Sequence, residues 1–271
     1  MKLLFFDIDG TLHGQDEKIP ASACETIRRL QLCGHKCFIN SGRSRGFITN
    51  PQLLALSFDG IISGCSTRLE IKDEAAPAGT LRYKTVYSRQ LPADQLLFTM
   101  EFLHEKKVSA IIEGEQYLYF DDFFYADGYG RRVIGKMGDN ARRLTEEWGK
   151  WQAGKMSCLI EPEIIAEVRA KLGHLYSFIR HTERTYELVP LGYDKALGVR
   201  KACELFGVPL SETYAFGDSN NDMEMMQTVT HSVAMGNGTD SLKAMCEYVT
   251  APMLEDGIKK ACLHYGLIDN F

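Results

Sequence analysis

Two carboxylates one residue apart, Asp7 and Asp9, open the run Asp7-Ile8-Asp9-Gly10-Thr11. The run follows a short apolar stretch, Lys2 to Phe6, with the pattern of a buried parallel strand whose carboxyl end opens into a loop. Alternate residues at a strand end point to different sides. One carboxylate can therefore attack an electrophile while the other handles protons on a leaving group. Asp and Gly also favour ordinary turns, so the run by itself does not decide between chemistry and a bend.

A second acidic run, Gly217-Asp218-Ser219-Asn220-Asn221-Asp222, follows another short apolar strand, Tyr214 to Phe216. If the two strands lie side by side, Asp7 and Asp218 converge on one hard cation, and an all-oxygen donor set suits Mg²⁺. The competing reading is a helix start, with Asp218 or Ser219 capping backbone N–H groups. If the electrophile is a phosphoryl group, its transfer also needs positive charge and donors for the equatorial oxygens. Asn40-Ser41-Gly42-Arg43 offers a hydroxyl and, at Gly42, a backbone N–H that can approach closely. Lys195 opens a helix and can serve as a point charge.

The elements that must carry these groups alternate. A strand at Lys2–Phe6 precedes a helix from Ala21 to Gly34, a strand at Lys36–Asn40, a helical segment Phe47–Leu56 and a strand at Phe58–Ser63. That alternation predicts an α/β fold with a parallel sheet and right-handed crossovers, and such sheets bind ligands at their carboxyl edge. From about residue 81 to 187 the character changes to an inserted α+β segment. Its pieces are strands at Tyr83–Tyr87, Ser109–Ile112 and Gln116–Phe120 and helices at Ala93–Glu105 and Glu163–Leu172, around a Gly-bearing polar stretch, 125–143. Alternation then returns with Lys195–Phe206, Thr213–Phe216, Asp222–Thr228, Ser232–Met235 and Gly257–Tyr265. The expected division is a core of 1–80 plus 188–271 and an insertion of 81–187.

The 271 residues, 45% apolar and 25% charged, give no support to a disordered, collagen-like or membrane-embedded chain. A net charge of −5 without long single-sign runs argues against nucleic acid or an anionic membrane as partner. The N-terminal run is interrupted by acids and reads as a cytoplasmic start. Eight scattered cysteines contain no C-x-x-C pair and read as reduced thiols.

Taken together, the four segments resemble the haloacid dehalogenase (HAD) superfamily of phosphohydrolases, in the order and at the strand ends that superfamily uses. Leu188 to Lys195 and Val233-Ala234-Met235-Gly236-Asn237 further resemble its Cof-like branch, which carries a type IIB α/β cap in the slot where the insertion lies. The resemblance implies a Rossmann-like parallel-sheet core with an inserted cap that closes over the site and sets specificity. It makes Asp7 the nucleophile and Asp9 the general acid and base, and Ser41, Gly42 and Lys195 phosphate binders. Asp218 joins Asp7 at Mg²⁺, with the backbone carbonyl of Asp9. Asp222 is a further acid of the metal site, direct or through water, and Asn221 a phosphate or substrate contact. Arg43, and in the cap Tyr125, Tyr129, Arg131 and Arg132, are candidate substrate contacts. The branch usually has Leu for Ile8, often Thr for Ser41, and often Gly where Ser219 stands.

The implied reaction is Mg²⁺-dependent hydrolysis of a small phosphorylated metabolite, most readily a sugar phosphate, through an aspartyl-phosphate. Asp9 must then hold a proton despite an ordinary pKa of about 3.9. A phosphomutase or phosphotransferase would use the same intermediate, and a silent ligand-binding protein on this fold is the alternative of another class. The implied partner is the small metabolite, without nucleic acid or membrane, for a cytoplasmic monomer or weak homodimer.

Overall fold

Four apolar residues buried on both faces, Leu3–Phe6, form β1 in the interior of the first of two sheets. The computed structural model describes residues 1–77 and 80–270; residues 78, 79 and 271, assigned to the core from sequence, lie outside these. The chain divides into two compact units. Met1–Gly42, Asn50–Tyr87 and Asp194–Phe271 form the first, and Arg43–Thr49 with Ser88–Tyr193 form the second.

In the first unit β1 is followed by α1 (Ala21–Leu32), β2 (Lys36–Asn40), α2 (Pro51–Ala55), β3 (Gly60–Ser63), β4 (Arg68–Lys72) and β5 (Tyr83–Ser88). The inserted chain runs through α3 (Ala93–Glu105), β6 (Ser109–Glu113), β7 (Leu118–Phe120), α4 (Asp122–Ala126), α5 (Gly128–Met137) and β8 (Ala141–Arg143). It continues through β9 (Lys155–Leu159), α6 (Ile165–Leu172), β10 (Tyr176–Arg180) and β11 (Thr185–Pro190). The first unit then resumes with α7 (Lys195–Phe206), β12 (Thr213–Gly217), α8 (Met223–Thr228), β13 (His231–Ala234), α9 (Asp240–Met245), β14 (Tyr248–Val249) and α10 (Gly257–His264).

The first sheet has the order β14-β13-β12-β1-β2-β3-β4-β5. It is parallel from β14 through β3, and β4 pairs antiparallel with β3. On one face Phe5, Phe38 and Ala215 pack against Val199 and Ala202 of α7 and Met225 and Met226 of α8. Cys37, on the opposite face, lies beside Cys262 of α10, which packs on α1. Helices on both faces bury the sheet and leave its strand ends as the route to ligands.

The second unit has a six-stranded sheet of order β10-β11-β9-β6-β7-β8. Met156, Cys158, Ala110 and Ile112 face Leu96, Met100 and Leu103 of α3 and Val168 and Leu172 of α6. Leu118 and Phe120 pack on Phe124 and Met137, from α4 and α5.

Three sequence expectations are corrected. The segment expected helical from Phe47 starts its helix only at Pro51, after a 3₁₀ turn at Arg45–Phe47, because Pro forces Asn50 to an extended ψ of 116°. Asn50 then caps the helix, accepting from Gln52 N at 2.9 Å and Leu53 N at 3.2 Å. Tyr83–Tyr87, read as part of the insertion, is β5 at the edge of the first sheet, where Tyr83 donates to the Phe58 carbonyl at 2.9 Å. The Gly-bearing stretch contains a helix, α5, capped by Asp127 on Gly130 N at 2.7 Å.

Candidate active site

β1 and β12 are parallel neighbours, with Phe6 opposite Phe216, and the Asp7 N–H continues the ladder onto the Phe216 carbonyl at 3.0 Å. The two acidic runs therefore leave the sheet side by side. Carboxylate oxygens of Asp7, Asp218 and Asp222 lie within 4.8 Å of one another. The capping reading of the second run holds, and it leaves the Asp218 carboxylate near that of Asp7. Ser219 and Asp222 form a capping box for the turn at Asn220–Asp222, while Asp218 faces Asp7.

Lys195 comes in from the first turn of α7, which is capped by the Asp194 carboxylate on Leu197 N at 2.7 Å. The Lys195 ammonium, fully buried, stands 2.6 Å from Asp7 Oδ1 and 2.6 Å from Asp222 Oδ1, and donates to Asn221 Oδ1 at 3.4 Å. Burial alone would lower the Lys195 pKa, but Asp222 and then Asp7 hold it well above its ordinary value, so the group stays charged. Asp222 has its second oxygen committed too, accepting from Asp218 N at 3.0 Å and Ser219 N at 3.1 Å. It ties the lysine to the loop that carries Asp218.

Burial, opposed by Lys195 and reinforced by the charges of Asp222, Asp9 and Asp218, pushes the Asp7 carboxyl well above the usual range. Asp218 is pushed up to about 7, first by burial and then by Asp222. Both shifts express crowded negative charge in a partly dry setting. A hard divalent cation would relieve that crowding, and oxygen donors from Asp7 and Asp218 are of the type it takes.

Ser41 and Gly42 follow β2, the other neighbour of β1, and so lie on the same sheet edge. Ser41 is buried, its N–H on the Ile62 carbonyl at 2.9 Å and its carbonyl accepting from Cys65 N at 3.1 Å. Asp9 is exposed on the loop beyond Asp7. Arg43 falls in the second unit, its guanidinium reaching the Phe47 carbonyl at 3.4 Å. The cap candidates also belong to that unit: Tyr129, Arg131 and Arg132 are exposed, and Tyr125 carries the Arg143 guanidinium 4.0 Å above its ring. Ser219 has φ −130°, extended backbone that any residue adopts, so the Gly common at that place is not required.

Sequence reading passed over three supporting side chains. Thr11 Oγ1 donates to Asp218 Oδ1 at 3.2 Å, Asn40 Nδ2 to the Lys195 carbonyl at 2.8 Å, and Asn237 Nδ2 to the Gly10 carbonyl at 2.8 Å. The available signal was adjacency: each stands within or beside a run already singled out. Gly10 has a necessity of its own. Its φ is +82°, and a Cβ there would stand 2.2 Å from Asp218 Oδ2.

A sheet-edge cluster of acids around a buried lysine, on an α/β core, is an arrangement suited to phosphoryl transfer. A family model described as haloacid dehalogenase-like hydrolase matches residues 4–262, and the chain belongs to that family. It is similar to "Putative phosphatase YkrA" of Bacillus subtilis (strain 168), 30% identical over 98% of each chain. It also resembles the 5-amino-6-(5-phospho-D-ribitylamino)uracil phosphatase YitU of the same organism, 28% identical over 97% of each. Among solved structures, a HAD subclass IIB sugar phosphatase superimposes with a TM-score of 0.80 at 28% identity, covering 99% of this chain and 100% of that one. The protein is thus an enzyme, a phosphoric monoester hydrolase of the HAD type. Among the described residues no helix is long and apolar enough to cross a membrane.

Proposed function

We propose that this enzyme is a Mg²⁺-dependent, cytoplasmic phosphatase of small phosphorylated metabolites, sugar phosphates foremost, acting through an aspartyl-phosphate on Asp7. The convergence of Asp7, Asp218 and the buried Lys195 ammonium carries this reading. Likeness to relatives named for a sugar phosphate and a phosphoribityl substrate supports a phosphate ester on a polyhydroxylated carbon chain.

Asp7 attacks phosphorus in line, forming the aspartyl-phosphate bond as the bond to the leaving alkoxide breaks, and Asp9 gives its proton to that oxygen. Asp9 then takes a proton from water, which attacks the same phosphorus and releases inorganic phosphate and free Asp7. Lys195, held charged, balances the equatorial oxygens, and its contact with Asp7 Oδ1 fixes the rotation of the attacking carboxylate. Ser41, with the Gly42 backbone N–H, supplies donors from the neighbouring strand end, and Asn221 binds phosphate or substrate. Asp7, Asp218 and the Asp9 carbonyl would hold Mg²⁺, with Asp222 behind them; the bound ion would neutralise phosphoryl charge and orient the group. The inserted unit is assigned the choice of substrate, with Arg43 as a contact.

The test is phosphate release from a panel of sugar, polyol and nucleotide monophosphates with Mg²⁺ or EDTA, for wild type and Asp7→Asn. Release that needs Mg²⁺ and is lost in Asp7→Asn is the expected result. Release surviving that substitution overturns the nucleophile, and transfer to a sugar hydroxyl in place of water converts the reading to a phosphotransferase.

A further inference from the structure

Directly after β3 three consecutive residues have left-handed backbone: Gly64 at φ 60°, Cys65 at 52° and Ser66 at 69°. Only the first is a glycine. Strained backbone of this kind persists where surrounding structure holds it, and it marks places where a group must be delivered to a fixed point.

What this turn delivers is the Ser66 hydroxyl. It donates to the Asp194 carbonyl at 2.6 Å and accepts from Gly198 N at 2.9 Å. Those are the carbonyl and N–H that the first rung of an α-helix would join at Asp194 and Gly198, so the hydroxyl is inserted into the opening turn of α7. Gly198 makes the approach feasible, since a Cβ there would stand 2.6 Å from Ser66 Oγ and 2.5 Å from Ile62 Cγ2. A second anchor, Asn40 Nδ2 on the Lys195 carbonyl, grips the same turn from β2. From the neighbouring left-handed residue, Cys65 N–H holds the Ser41 carbonyl at 3.1 Å. One strained turn therefore touches the backbone of both segments assigned to phosphate binding.

We propose that Ser66 is a positioning residue: its hydroxyl fixes the opening turn of α7 so that Lys195 meets Asp7 and Asp222. The inference rests on the role given to Lys195 above. A hydroxyl there only to finish a helix end would affect stability and leave turnover alone. One that aims the ammonium must affect turnover, because misplacement by a fraction of an ångström weakens stabilisation of charge that develops only in the transition state.

The experiment compares wild type, Ser66→Gly, Ser66→Ala and Lys195→Ala for hydrolysis of p-nitrophenyl phosphate with Mg²⁺, alongside thermal midpoints. Ser66→Gly suits the left-handed φ and lets Asp194 and Gly198 close their own rung, so its midpoint is expected at or above wild type. Its kcat is expected to fall on the order of tenfold to a hundredfold with KM within about threefold. Ser66→Ala keeps the strain, so the same kcat loss comes with a lower midpoint. Ser66→Gly at wild-type kcat, beside an inactive Lys195→Ala, overturns the positioning role alone. Lys195→Ala at wild-type turnover overturns it together with the phosphate-binding role on which it rests.

Discussion

Glu187 lies in the interior of the second unit's sheet, and its charge makes the stability of that unit depend on pH. On β9 the Lys155 ammonium, 1% exposed, lies 2.9 Å from Glu187 and 3.3 Å from Glu113, and His181 Nε2 stands 3.1 Å from Glu187. Burial alone would raise the Glu187 carboxyl. Lys155, and after it His181, outweigh burial and hold it at about 2 against an ordinary 4.5. At about 1.4 kcal/mol per pH unit, that displacement contributes about 3 kcal/mol to folding.

The sign follows from where the proton binds first. The unfolded chain protonates Glu187 near pH 4.5 and the folded unit only near about 2, so the contribution is full above 4.5 and lost as pH falls through about 2. By about pH 3 more than half of it, about 2 kcal/mol, is gone. The chain's two tryptophans, Trp148 and Trp151, both lie in the second unit, and Trp151 is buried with its indole N–H on the Leu144 carbonyl at 3.1 Å. Urea unfolding followed by tryptophan fluorescence therefore reads this unit. Other carboxyls titrate in the same range, so the informative quantity is wild type minus Glu187→Gln. That difference is expected to shrink by about 2 kcal/mol between pH 5 and pH 3. A constant difference would refute the reasoning, because the Glu187 charge would then contribute nothing that protonation removes.

Two glycine substitutions give further checks. Gly10→Ala forces a Cβ into a left-handed φ of +82° and 2.2 Å from Asp218 Oδ2; phosphate release is expected to fall at least about tenfold, with more Mg²⁺ needed for half-maximal rate, and a wild-type Mg²⁺ titration would contradict this. Gly198→Ala would stabilise an ordinary helix interior by about 1 kcal/mol. Here the added carbon meets Ile62 and the Ser66 hydroxyl at 2.5 and 2.6 Å, so the thermal midpoint is expected to fall, and a rise would refute the close approach.

How much of this was legible in sequence depends on whether an element carries its own pattern. α3 and α7 begin and end at Ala93–Glu105 and Lys195–Phe206, the expected spans, and β2 does so at Lys36–Asn40, because apolar periodicity and flanking Pro or Gly act locally. β4, β9, β10 and β11 were not read. In β9 and β11 Lys155 and Glu187 alternate with Met156, Cys158, Tyr186 and Leu188, so the period-2 pattern is kept, but it runs over only five and six residues and does not stand out from a polar loop. The helix α5 was hidden by its glycines. Gly130 in it answers a tertiary demand, since a Cβ there would lie 2.2 Å from the Phe124 carbonyl.

The site divides along a similar line. Asp7, Lys195, Asp218 and Asp222, which the structure brings together, and the candidate Ser41 on the neighbouring strand end could be singled out from sequence because each side chain stands directly beyond an apolar strand or at a helix start, where local pattern and chemical type coincide. Residues that aim those groups work on backbone far away in sequence. Asn40 reaches across 155 residues to the Lys195 carbonyl, and Ser66 across 128 to Asp194 and 132 to Gly198. No spacing rule relates such partners. The trace that did survive locally was a misfit: a glycine inside α7, where helix propensity prefers almost any other residue. A residue costly in its own element points to a neighbour that needs the room, and here that neighbour is the hydroxyl inserted into the opening turn of the helix that carries the site's lysine.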